Sequence, residues 1–145
     1  MGPASNRRAP ADGSYEQRSP ALPVVVAVAL GGALGALARY GLDRVIERRS
    51  FAVFPWSTFT INATGCLLIG VVIAALVDRH HTPQWLRLGL AMGVLGGYTT
   101  FSTFAQETLD LLEEGNVGIA VAYAAGSVAV GVAAVFVGML IGRAL

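Results

Sequence analysis

Residues 89–104 read GLAMGVLGGYTTFSTF, and the two halves of this stretch call for different surroundings. The first half suits a lipid-embedded helix. In the second, Gly96 and Gly97 are followed by Thr99, Thr100, Ser102 and Thr103, interleaved with the phenyl rings of Phe101 and Phe104. Each glycine costs a helix about 1 kcal/mol relative to alanine, so the pair predicts a break within residues 96–100. Inside a bilayer, freed backbone groups are tolerated only where protein buries them or a wet cavity receives them. A glycine-interrupted, hydroxyl-rich membrane helix is therefore a pointer to an ion or substrate site.

The composition around this stretch sets its solvent. The chain has 145 residues, 54% hydrophobic and 13% charged, about half the ~25% charge of soluble domains. Uncharged runs at 21–38, 51–77, 88–106 and 117–142 each reach the ~18 residues expected of a transmembrane helix. The expectation is an all-α membrane protein with four transmembrane helices, near 22–46, 56–77, 86–112 and 117–143. These form one domain over 21–145, with the third helix broken mid-membrane. Residues 1–20, rich in Pro, Ala, Ser and Arg, read as a disordered tail. Arg18, the first apolar run and Ala36-Leu37-Ala38 mimic a secretory signal, but Arg39-Tyr40 continues the helix and three more spans follow. The single Cys66 lies mid-span, so no disulfide framework or zinc site is expected. A net charge of +1 suggests no nucleic-acid surface. No nucleophile–base pair stands out, so an enzyme is not expected.

Helix 3 carries Gly89, Gly93 and Gly97 every four residues, and helix 1 carries Ala27, Gly31 and Gly35 at the same spacing. Small residues on one face let membrane helices approach closely. Gly138 and Gly142 repeat that spacing on helix 4. On helix 2, Pro55-Trp56 marks an interfacial start. Thr58, Asn62 and Gly65 then fall on one face. Asn62 needs a partner inside the span, either a neighbouring helix or a pore. Arg39 near the end of helix 1 is either an interfacial anchor or a fixed charge at the mouth of an anion path. Tyr123 and Ser127 are one turn apart on helix 4, and Gly131 continues their line. His80 and His81 read as solvated loop residues, and Glu107, Asp110, Glu113 and Glu114 as the return of helix 3 to water. Arginines fall on both sides of the membrane with only a modest bias, so insertion in either orientation is physically allowed.

Three motifs carry a resemblance. GALARY (35–40), STFTINATG (57–65) and GGYTTFSTF (96–104) resemble those of the Fluc/CrcB fluoride channels, the third being the most specific. The likeness runs from about residue 24 to the end. It implies a multi-pass channel of the cell membrane that exports fluoride passively to relieve its toxicity. It also implies an antiparallel, dual-topology dimer, formed by two copies of this chain or by one copy and a related subunit. Two fluoride pores would lie at the subunit interface, with a structural sodium ion at the dimer centre. By motif position, the sodium-facing carbonyls belong to Gly96 and Thr99, the pore rings to Phe101 and Phe104, and the pore amide to Asn62. Ser102, Thr103, Tyr123 and Ser127 would supply a polar track, and Arg39 a vestibular or structural charge. Gly131 stands where some relatives would carry another hydroxyl.

The residue types suit that chemistry. Fluoride is small and strongly hydrated, so a pore must replace its water with donors yet release it. Hydroxyls, an amide and the positive edges of phenyl rings attract it without a trapping charge. Two other functions compete. A proton-coupled cation exporter of the four-helix dimer type needs an intramembrane carboxylate, for which Glu107 is the candidate. A scaffold that merely assembles a partner would tolerate changes at Asn62 and Phe101.

Overall fold

The computed structural model describes residues 22–50, 52–77 and 82–145. The tail over 1–20 and the loop residues His80 and His81 lie outside the described residues. Helix α1 is Leu22–Glu47. Helix α2 is Trp56–Val72 and widens into a π-helical turn at Ile73–Val77. Helix α3 (Gln84–Leu88), a π-helical stretch (Gly89–Leu95) and helix α4 (Gly96–Tyr98) follow without a gap, forming one rod over 84–98. Helix α5 is Phe101–Glu113 and helix α6 is Val117–Ala144. No strand occurs among the described residues. Among the described residues three helices, Leu22–Glu47, Trp56–Leu76 and Val117–Ala144, are long and apolar enough to cross a membrane.

Glycine faces decide how these helices meet. Gly31 and Gly35 of α1 are buried against the rod. A Cβ at Gly35 would overlap the Val94 carbonyl and lie 2.8 Å from the Tyr98 amide nitrogen. From the other side, a Cβ at Gly89 would touch the Ala27 Cβ at 3.0 Å, and one at Gly93 would come within 2.9 Å of the Val28 carbonyl. The two small-residue stripes therefore face each other. A second pair forms in the same way. Gly70 of α2 lies on the backbone of α6 around Val135–Met139, and Gly138 and Gly142 lie on α2 around Leu67 and Val71. In lipid no hydrophobic force draws helices together, so backbone contact supplies dispersion and close polar attraction instead.

The break is narrower than residues 96–100. Gly96–Tyr98 remain helical, and only Thr99 (φ −80°, ψ 161°) and Thr100 (φ −148°, ψ 122°) are extended. Gly97 serves packing: a Cβ there would overlap the Gly32 carbonyl of α1. Thr100 then caps α5, its hydroxyl accepting from the Thr103 amide at 3.3 Å, as threonine does at a helix start. At the other end of α5 the chain turns through Gly115 at φ 80°. There the Gly115 amide donates to the Leu112 carbonyl at 3.1 Å and the Asn116 amide to that of Leu111 at 2.8 Å. That paired closure needs a left-handed residue, which glycine supplies without strain. It aims α6 back along α5 and places Tyr123 beside Phe104.

Candidate functional site

The site begins with helix α2. Thr58, Asn62 and Gly65 share the face turned toward the break and α5. Asn62 Nδ2 donates to the Thr100 carbonyl at 2.9 Å, and the Thr100 amide donates to Asn62 Oδ1 at 2.9 Å. Gly65 lies under Thr99, whose methyl a Cβ at 65 would overlap. One turn further on, Thr64 receives the Tyr98 hydroxyl at 2.8 Å while back-bonding to the Thr60 carbonyl at 2.7 Å. The break is thus clamped on both sides by α2.

These bonds redirect the backbone. In a continuous helix the Thr100 amide would donate to Gly96 and the Thr103 amide to Thr99. Here the first goes to Asn62 and the second to the Thr100 hydroxyl. The carbonyls of Gly96 and Thr99 are released from the helical ladder, and both residues line an open groove.

That groove has a volume of about 400 Å³, and its walls include Asn62, Thr99, Phe101, Phe104 and Ser127. The Phe101 ring is 79% exposed and stands 5.8 Å from that of Phe104. Ser127 Oγ is buried and has no hydrogen-bond partner among the described residues. Cys66 also lines the groove. A Cβ at Gly131 would stand 3.3 Å from Cys66 Sγ, so the thiol fills the space beside that glycine.

The other expected residues lie apart. Tyr123 is fully buried; its hydroxyl donates to Glu107 Oε2 at 2.6 Å, and Thr58 donates to Glu107 Oε1 at 2.8 Å. Tyr123 and Ser127, one turn apart, therefore serve different surroundings. Arg39 and Thr103 line a second cavity of about 210 Å³ with Asp43, Thr58 and Thr100. Ser102 is exposed, 3.4 Å from the Thr100 hydroxyl. Thr58 and Thr100 form the walls between these regions.

Sequence reasoning missed the inward turn of Glu107. A signal existed: Phe104, Glu107 and Leu111 recur at helical spacing, and Phe104 and Leu111 pack with Tyr123. Thr100 as the partner of Asn62 left no such trace, because 38 residues separate them.

An interrupted helix, clamped by its neighbour and opening on a groove of neutral donors and rings, defines an all-α membrane protein built around a polar break. Residues 26–139 match the family described as CrcB-like protein, Camphor Resistance (CrcB), and the chain belongs to that family. The Fluoride-specific ion channel FluC of Acidobacterium capsulatum is 50% identical over 118 residues, 80% of this chain and 93% of the relative. The protein of the same name from Thermus thermophilus is 48% identical over 118 residues, 81% and 94% of the two chains. That of Beijerinckia indica is 46% identical over 117 residues, 79% and 92%.

Proposed function

We propose that this chain is the subunit of a fluoride-selective channel, which lets fluoride leave the cell down its own gradient. The observation that carries the reading is the groove, where the Asn62 amide, the Ser127 hydroxyl and the rings of Phe101 and Phe104 meet. Among the described residues its walls offer donors but no fixed cation. A dehydrated anion is attracted there without being trapped, and ring edges add a weak positive field. Helix α5 also turns its positive end toward the break. The relatives' shared name, fluoride-specific ion channel, points to the same ion.

Residues 84–113 are read as the fourth span, crossing the membrane with its break inside. An antiparallel second copy would cover the groove and the exposed Phe101. Large apolar surfaces beside a polar site suit association, and a two-fold axis would present each groove to the same face of the partner. At that axis the released carbonyls of Gly96 and Thr99 fit a sodium ion. Unwound carbonyls in membrane helices coordinate this cation, whose charge would offset oxygens that no amide satisfies.

The experiment is efflux from liposomes containing this chain alone, followed with a fluoride electrode. Fluoride is released under a potassium-driven potential and chloride is retained. Vesicles that hold their fluoride defeat the reading.

A further inference from the structure

Helix α2 is preceded by a half-buried phenylalanine, Phe54, that none of the motifs includes. Its ring stands 4.5 Å from Trp56 and 5.4 Å from Tyr123, edge-on to the latter at 82°. Tyr123 in turn stands 5.1 Å from Phe104, which lies 5.8 Å from Phe101. A line of rings therefore joins the loop at the start of α2 to the groove. Trp56, 47% exposed, begins it, and tryptophan favours the membrane–water interface.

We propose that Phe54 is a positioning residue for the pore, holding the Tyr123 ring so that Phe104 presents its edge to the ion path. The proposal rests on reading the groove as that path. Beyond its own helix Tyr123 is held by its hydroxyl bond and by packing against Phe54, Phe104 and Leu111. Its hydroxyl is bonded to Glu107, which fixes the far end of the side chain but leaves the ring free to tilt about that axis. Phe54 meets the ring edge-on and removes the tilt. Phe104, packed against the same ring, takes its attitude from it. Attitude matters because an aromatic quadrupole is positive at the edge and negative at the face. A Phe104 ring turned face-on would repel the anion that its edge attracts. Phe59 is the natural comparison. It packs against Phe54 at 5.6 Å and Trp56 at 5.9 Å and belongs to the same cluster, yet it stands outside the line from Phe54 to Phe104.

The test compares full-length Phe54→Leu, Phe54→Tyr and Phe59→Leu in liposomes, and also reads the 19F resonance of 4-fluorophenylalanine placed at 104. Phe54→Leu keeps apolar volume but loses the ring edge. It lowers fluoride efflux about three- to tenfold, the rate equivalent of one aromatic pair, and shifts the resonance. Phe54→Tyr restores both, and Phe59→Leu changes neither, although the two leucine variants unfold at similar temperatures. Should Phe54→Leu not fold, Phe54→Met carries the same comparison. An unmoved resonance, or equal losses in both leucine variants, overturns the proposal. A wild-type chain that releases no fluoride overturns the channel reading instead, and the resonance still decides the role of Phe54.

Discussion

Asn62 holds Thr100 by both ends of its amide, donating to the carbonyl and accepting from the N–H, each at 2.9 Å. One side chain thereby takes the amide that the break deprives of its ladder partner, and adds a second bond to the carbonyl that opens α5. Leucine at 62 would leave the Thr100 amide unpaired inside the protein, at about 1–3 kcal/mol. Asn62→Leu is expected to lower stability by about 1–3 kcal/mol and to abolish fluoride efflux. Chemical denaturation in detergent and electrode traces check the two effects.

Phe101 and Phe104 separate flux from stability. Phe101 is 79% exposed on the single subunit, so Phe101→Ile leaves the subunit's own packing intact and the protein folded. Its efflux falls by about tenfold or more, since the ring edge is lost. Phe104→Ile lowers flux similarly but also lowers the midpoint, because Phe104 packs on Tyr123. Unchanged flux in both variants would remove the ring-edge account.

Tyr123→Phe deletes the hydroxyl that donates to Glu107 Oε2 while keeping the ring. The carboxylate loses one of its two donors, the other being Thr58. A stability loss of about 1–3 kcal/mol is expected, with the larger part recovered when Tyr123→Phe is combined with Glu107→Leu. The double-mutant cycle in thermal unfolding measures that coupling.

Glycine substitutions test the stripes. Gly35→Ala places a methyl on the Val94 carbonyl and is expected to cost about 1–3 kcal/mol by forcing α1 from the rod. Gly41→Ala, with nothing within 4 Å of the new atom, is expected to be neutral or to stabilise by up to about 1 kcal/mol. Similar thermal shifts in both would contradict the packing described.

How far these features were legible depends on sequence separation. The stripes Ala27–Gly31–Gly35 and Gly89–Gly93–Gly97 show themselves by spacing, because a helix repeats locally. That they face each other does not, since a small-residue face fits any other small-residue face. A four-residue repeat also fits both an α-helix and a wider turn, so the π-helical stretch at Gly89–Leu95 left no mark in the pattern. The break falls within the expected residues 96–100 but is confined to Thr99 and Thr100, because Gly97 is needed against Gly32 and Asn62 takes the amide of Thr100. Of the residues expected at the pore, Asn62, Phe101, Phe104 and Ser127 converge on the groove, which Gly96 and Thr99, expected at the sodium ion, also line, whereas Ser102 lies outside it. Tyr123 and Thr103 do not line it either, because α6 and α5 turn them toward Glu107 and Arg39 instead. The acidic neighbours of Glu107 point to the water boundary, whereas Thr58 and Tyr123, both fully buried, draw it inward.

Passive, selective conduction sets the reversal potential of the current. The chain is fused into a planar bilayer with a tenfold fluoride gradient and equal chloride on both sides. The current is predicted to reverse at the fluoride equilibrium potential and to stay there when chloride is replaced by an impermeant anion. Reversal at zero, or a value that follows chloride or pH, would contradict the account.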